Sequence, residues 1–550
     1  MQGGGALGAY EAGVYRALYE QISESLKSQD RVNENVFDII AGTSIGAINA
    51  AIIVSHVAKN KKENPSWDQL ECWKDSADKL EEFWTDQIAS TPDLSTTNYY
   101  YYYERWNDNG EGSNGTYPQA ATAEAARRYY SAKTFLYRGA RNVFQPIYGH
   151  FPLNDYKFFD SSHLDDINNL WFRYSNYPLK ESIKDYATFP IKTDPVKKEP
   201  RLLLVTVDIE EGETVTFDSY SKESEYGEDG EQKRREYKYT IYHDQGLMVE
   251  HVMASASIPL LFDYQWVPKD YNYKKYARGE EQDEDDPTHK NFRPFWDGGL
   301  LSNTPIRELI NQHKLFWEKN TPLRNGKSIF EMRKEAANDE RKREQYGKEL
   351  FDLFWKEMLT KARAAARTTT RPSGREDSQQ PANELKPGDL DIFIVNLWPT
   401  KEKPLPLEDY DLTKDRMFDI INYDKTGYDL KVAAFVTDYI ELARDLVQQL
   451  AKDAISANGQ EETKRELARK ILLDDSKTVS KFREGTPRTY LDLLIGRFDI
   501  KEPFKIERIE DNKTTISNKW TDLSHQTAVE LIKQGIKDAS KKIEEKPITL

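Results

Sequence analysis

Gly42-Thr43-Ser44-Ile45-Gly46 sets a serine between two glycines at the G-x-S-x-G spacing of a nucleophile elbow. The chemistry open to such a serine is acyl transfer. Gly42 and Gly46 allow a strand and a helix to approach closely around a side chain forced onto a sharp turn. The N–H groups that open the following helix favour an oxyanion beside the serine oxygen. The pentapeptide alone also fits an ordinary glycine-flanked turn in which Ser44 caps the helix. Its flanks favour the elbow: Val36-Phe37-Asp38-Ile39-Ile40-Ala41 is an apolar β-rich run ending at Gly42, and a small-residue helix is predicted from Ile45 to about Val57.

A second glycine cluster, Gly3-Gly4-Gly5-Ala6-Leu7-Gly8, opens a helical pattern through Tyr10, Val14, Leu18 and Ile22. It can be read as a dinucleotide loop, a phosphate loop or a source of backbone donors for an oxyanion hole. A phosphate loop needs Gly-Lys-Ser/Thr at its end, which is absent, and a dinucleotide loop needs a preceding strand, which is not visible. An oxyanion hole needs only glycine-permitted backbone that turns N–H groups inward, each worth on the order of 3 kcal/mol to a transition state. Farther on, Phe292 to Trp296 runs into Asp297-Gly298-Gly299, which is also the composition of a common tight turn. Ala254-Ser255-Ala256-Ser257-Ile258-Pro259 reads as packing and a helix end.

Taken in order, the Gly3–Gly8 cluster, the Ser44 pentapeptide, the Ala254–Pro259 block and Asp297-Gly298-Gly299 with Asn303 and Pro305 resemble the patatin-like phospholipase family. The resemblance runs from Met1 to about Ile310. It implies hydrolysis of phospholipid or other acyl esters, with Ser44 as nucleophile and Asp297 as general base. It also implies oxyanion donors on Gly3, Gly4, Gly5 and Gly8, joined by the Ile45 N–H, and neither a cofactor nor a metal. Leu7 stands where that family often has a basic residue. Only Met1 and Gln2 precede the loop where the family's first strand would run, so the loop is expected to be supported by other elements or by residues ahead of Met1.

A dyad suffices if Asp297 takes the serine proton directly, which requires burial or few hydrogen bonds to raise its pKa from about 3.9 toward neutrality. Two rival readings stand beside it. One is a Ser-Asp-His hydrolase with His313 or His525 as base, although Ser44 comes early for that architecture. The other is a catalytically silent scaffold on the same fold. His56 and His251 carry no local motif.

These residues need a framework. Arg201 to Asp208 reads as a buried strand, Thr214 to Asp218 as an edge strand, Val249 to Ala256 as a helix and Asp391 to Asn396 as one more buried strand. The expected fold is a three-layer α/β/α domain with a mainly parallel central sheet. Residues 1–310 would form the catalytic domain, with a helical cap inserted at about 59–200 whose aromatic residues, Tyr99 to Tyr103 among them, suit lipid contact. A charged helical stretch and polar linker would fill 311–387, and a strand with mainly helical structure 388–550.

The net charge of -15 argues against nucleic acid as a partner, since phosphate binding needs an excess of Lys and Arg. Cys72 is the one cysteine, which excludes an intrachain disulfide and a cysteine-based zinc site. The acidic run Glu281 to Asp286 lacks the alternating ligands and central glycine of a calcium loop. With no stretch of about 18 apolar residues and no signal-peptide pattern, the chain is expected to be cytoplasmic, its membrane contact at most peripheral.

Overall fold

The computed structural model describes residues 1–91, 123–147, 173–220, 240–242, 246–268, 292–320, 326–368 (except 330, 333, 334 and 336–338), 388–399, 410–456 (except 424 and 425), 461–474, 489–495, 500, 502–511 and 514–548. Tyr99 to Tyr103, Glu281 to Asp286 and nearly all of the 368–387 linker lie outside them.

A 3-10 turn, Gly5–Leu7, leads into α1 (Gly8–Ser28). Strand β1 (Ile39–Thr43) begins later than its apolar run, and α2 (Ile45–Glu63) continues past Val57. All eight residues of β2 (Arg201–Asp208) are buried. The central sheet is completed by β3 (Glu213–Asp218), β4 (Thr240–Tyr242), β5 (Gln265–Pro268) and β6 (Phe292–Asp297), with α3 (Val249–Ser255) between β4 and β5. Each large apolar side chain that β2 and its neighbours bury contributes about 1.5–3 kcal/mol.

The strand order is β4-β3-β2-β6-β5, with β1 also on β2. The sheet is mixed rather than mainly parallel. β1 and β2 are parallel, as are β3 and β4, but β2/β3, β2/β6 and β5/β6 are antiparallel. The physical reason lies in the connection: β2 ends at Asp208 and β3 begins at Glu213, turning through Gly212 at φ +66°, and a parallel return would need a crossover of a dozen or more residues. Nor is β3 an edge strand, since it lies between β2 and β4.

One register relation positions everything that follows. β3 occupies one edge of β2 from Leu203 to Asp208. The opposite edge is shared, with β1 paired along Arg201–Val205 and β6 along Thr206–Asp208. β1 runs with β2 and β6 against it, so their C-terminal ends meet: Thr43 lies opposite Val205 and Asp297 opposite Thr206.

After α4 (Ile306–Asn320) and α5 (Glu340–Thr368), β7 (Phe393–Asn396) pairs in parallel with β8 (Phe504–Glu507), forming a two-stranded sheet apart from the central one. Between these strands lie α6 (Tyr410–Asn422) and α7 (Thr426–Ser456), and α8 (His525–Glu545) follows. The main core joins residues of α1, α2 and the central sheet to Leu397, Trp398, Ile506, Leu531 and Ile532. α8 crosses α1 at two glycines: a Cβ on Gly13 would stand 2.0 Å from the Ile532 oxygen, and one on Gly535 2.2 Å from the Tyr10 oxygen. A second core unites Phe351, Phe354 and Met358 of α5 with Val447 and Ala451 of α7. No helix among the described residues is long and apolar enough to cross a membrane.

Candidate active site

Ser44 lies between β1 and α2 with φ 55° and ψ −125°, a backbone conformation rarely adopted outside glycine. Close packing of strand on helix imposes it, because a Cβ on Gly42 would stand 2.2 Å from the Gly46 oxygen. Asp297 ends β6 and turns through Gly298–Leu300, its Oδ1 accepting the Gly299 N–H at 2.7 Å. Ser44 and Asp297 are 7% and 5% exposed, and the Ser44 hydroxyl is near enough to the Asp297 carboxyl to draw its pKa down. Burial pushes that carboxyl up to about 6, against the downward pull of the Ser44 hydroxyl and the Gly299 hydrogen bond.

The block read from sequence as packing ties both strand ends down. The Ser44 N–H donates to Ser255 Oγ at 3.0 Å, and Ser255 Oγ donates to the Val205 oxygen at 2.5 Å. The Asp297 N–H donates to the Ser257 oxygen at 2.9 Å. Thr43 Oγ1 donates to the Ser302 oxygen at 3.0 Å, adding a direct tie from β1 to the segment after Asp297. A serine at the end of a short helix gives no local sign of such a role. The signal was its place between β2 and β6.

The glycine loop is held from several directions. The Gly3 N–H donates to the Asn303 oxygen at 3.2 Å, while Asn303 Nδ2 lies 3.3 Å from the Gly3 oxygen and 3.0 Å from that of Asn422. Gln2, buried, donates through Nε2 to Thr304 Oγ1 at 3.1 Å and accepts the Leu397 N–H on Oε1 at 2.6 Å. Its own N–H goes to Glu11 Oε1 at 2.6 Å, and Asn49 Nδ2 donates to Glu11 Oε2 at 3.0 Å. Burial pushes the Glu11 carboxyl up to about 7, offset in part by the Met1 amino group and these two hydrogen bonds.

This narrows the oxyanion donors expected from sequence. Gly3 has committed its N–H to Asn303, and the Gly8 N–H turns back on the Gly5 and Ala6 oxygens as α1 begins. Gly8 instead permits close approach, a Cβ there falling 2.5 Å from Ile45 Cγ1. The N–H groups of Gly4, Gly5 and Ile45 have no acceptor among the described residues. Leu7 is fully buried and serves packing.

Exposed leucines follow Ser257 and Asp297 along the chain. Leu260, Leu300 and Leu301 are 67%, 52% and 52% exposed. Residues 173 and 174 reach the segment before Asp263: the Arg173 and Tyr174 N–H groups donate to the Leu261 oxygen at 3.1 and 2.8 Å, and the Tyr174 ring lies 5.1 Å from Phe144 and 6.5 Å from Phe262. Among the described residues no histidine converges on Ser44 and Asp297. His313 Nε2 lies 2.7 Å from the Gly388 oxygen, His251 packs on Phe217, and His525 is exposed at the start of α8.

A family model described as Patatin-like phospholipase matches residues 1–310. The solved structure of VipD from Legionella pneumophila aligns with 58% of this chain at 14% identity and a TM-score of 0.20, too loose a likeness to bear on the argument. The chain spans about half the length of that structure, 53%. No curated protein matches the chain.

Proposed function

The chain belongs to the patatin-like phospholipase family, a family of lipid acyl hydrolases, and from that premise we propose that it hydrolyses lipid acyl esters through Ser44 and Asp297. The observation that carries this reading is a buried carboxyl, raised to about 6, at a strand end that meets the strand end carrying a serine on a strained turn at a helix start. In the first step Ser44 Oγ attacks the ester carbonyl carbon while its proton passes to Asp297. The carbonyl oxygen, now anionic, takes hydrogen bonds from the Gly4, Gly5 and Ile45 N–H groups and the positive end of α2. The tetrahedral species collapses, Asp297 delivers the proton to the leaving alcohol oxygen, and an acyl-Ser44 ester remains. Asp297 then takes a proton from water, whose oxygen attacks the acyl carbon. Collapse releases the fatty acid and returns the proton to Ser44.

The exposed leucines that follow Asp297 suit approach to a lipid surface, and the cap residues that reach Leu261 suit a role in choosing the acyl chain. The test is labelling by a fluorophosphonate together with turnover of a short-chain aryl ester. Wild-type protein should take the label at Ser44 and turn the ester over, and Ser44→Ala should do neither while remaining folded. A folded wild-type chain that takes no label would establish the silent-scaffold reading instead.

A further inference from the structure

We propose that Trp398 is a positioning residue for the glycine loop, and that the buried Lys519 holds Trp398 in place for it. The activity part rests on the hydrolase reading above; the conformational part does not.

The Trp398 indole N–H donates to the Gly3 oxygen at 2.8 Å. In a planar trans peptide the carbonyl oxygen of one residue and the N–H of the next point in opposite directions. Holding the Gly3 oxygen toward Trp398 therefore aims the Gly4 N–H away from it, in a loop that passes close to Ser44, whose Cβ lies 3.0 Å from where a Gly3 Cβ would stand. Three successive glycines leave this peptide free to rotate, and a rotated peptide would offer the oxyanion a carbonyl lone pair in place of a donor.

Trp398 is itself held from behind. Lys519 Nζ lies 5.4 Å from the centre of its ring, and Lys519 is fully buried. The ammonium lies against three carboxylates, Asp415 at 2.8 Å, Asp419 at 2.6 Å and Glu510 at 2.9 Å. Such a carboxylate trio would also suit a metal ion, but Lys519 already supplies the positive charge at its centre. Glu510 is shared with Arg508, whose Nε donates to the Leu397 oxygen at 2.7 Å. The Leu397 N–H meanwhile reaches Gln2, so the residue before Trp398 is fixed on both sides. The next residue along from Lys519 completes the support: a Cβ on Gly5 would stand 2.4 Å from the Trp520 oxygen. Every one of these supporting groups apart from Gln2 lies beyond residue 310, where the family match ends.

The test uses the full chain carrying Trp398→Phe, which keeps an aromatic ring over Lys519 and removes the N–H. Hydrogen–deuterium exchange over residues 1–10 should quicken in the variant. On a short-chain aryl ester kcat should fall roughly tenfold or more, short of the 10²–10³ lost on deleting a donor outright, with KM within about twofold. Trp398 acting in packing alone would lower the melting temperature and leave both readouts in place. Unchanged exchange, or unchanged kcat in an enzyme that is active as wild type, overturns the proposal. Should the wild-type chain take no label at Ser44, the hydrolase reading fails and the exchange result alone decides the positioning role.

Discussion

The Ser44 N–H and the Val205 carbonyl share the hydroxyl of Ser255, which accepts from the first at 3.0 Å and donates to the second at 2.5 Å. One side chain thus satisfies two buried backbone groups at the point where β1 and β6 meet. Ser255→Ala should leave both unpaired and cost about 1–3 kcal/mol in denaturant unfolding, with a lowered turnover as Ser44 loses its anchor. Stability within a few tenths of a kcal/mol of wild type would show that the bridge is not what holds the elbow.

Asp297 must be ionised to accept a proton, so ester turnover should rise with pH through an apparent pKa of about 6. Asp297→Asn should lower turnover by about 10²–10⁴ at pH 8. Its effect on stability has the opposite sign. A carboxyl raised from 3.8 to about 6 favours the fold when protonated, and this contribution is present below pH 3.8 and lost as pH rises through about 6. The loss amounts to roughly 3 kcal/mol, which the asparagine variant escapes. Unfolding at pH 4.5 and pH 8 should therefore show Asp297→Asn gaining on wild type at the higher pH, and a pH-independent difference would refute it.

Backbone strain at Ser44 separates two variants that are equally unable to attack an ester. With φ at 55° and ψ at −125°, glycine relieves the strain and alanine keeps it. Ser44→Gly should exceed Ser44→Ala in stability by about 1 kcal/mol or more in thermal or denaturant unfolding. Equal stability would mean the elbow stores no strain.

His313 and His525 should both be dispensable. Arg201 Nη1 donates to the oxygen of Gln312, the residue before His313, at 3.1 Å, which puts His313 by the start of β2, and four residues or about 13 Å of strand separate Arg201 from Val205. His313→Ala and His525→Ala should keep ester turnover within about twofold of wild type. A histidine variant as inactive as Ser44→Ala, with a native circular-dichroism spectrum, would overturn the two-residue mechanism.

Local pattern reveals local structure, and the elbow, α1, β2 and the Asp297 turn were all legible because glycine spacing and apolar periodicity are short-range signals. The meeting of β1 and β6 on β2 was not, because register between distant strands leaves no trace in either strand alone. Gln2, Ser255, Asn303 and Trp398 were missed as supports for a related reason: each partner lies far away in the chain, and a single polar residue carries no period. The mixed sheet was within reach of the sequence, since the four residues from Ile209 to Gly212 are too few for a parallel return. A mostly apolar run suggested parallel neighbours, but β2 is buried by what covers its two faces, whichever way its neighbours run.

The crossing of α1 and α8 at Gly13 and Gly535 has a consequence in time. Residues of α1 are packed against residues of α8 made more than 500 positions later. At about 5–20 residues per second, roughly 25–100 s separate Ser44 from the helix that closes over α1. Contacts of such long sequence separation form late, since the intervening chain must be gathered before they are rewarded. Throughout that interval Ser44 exists as a residue but its glycine loop has neither Trp398 nor Trp520 behind it. On the proposed mechanism, a chain built this way reaches competence only as a late event of folding.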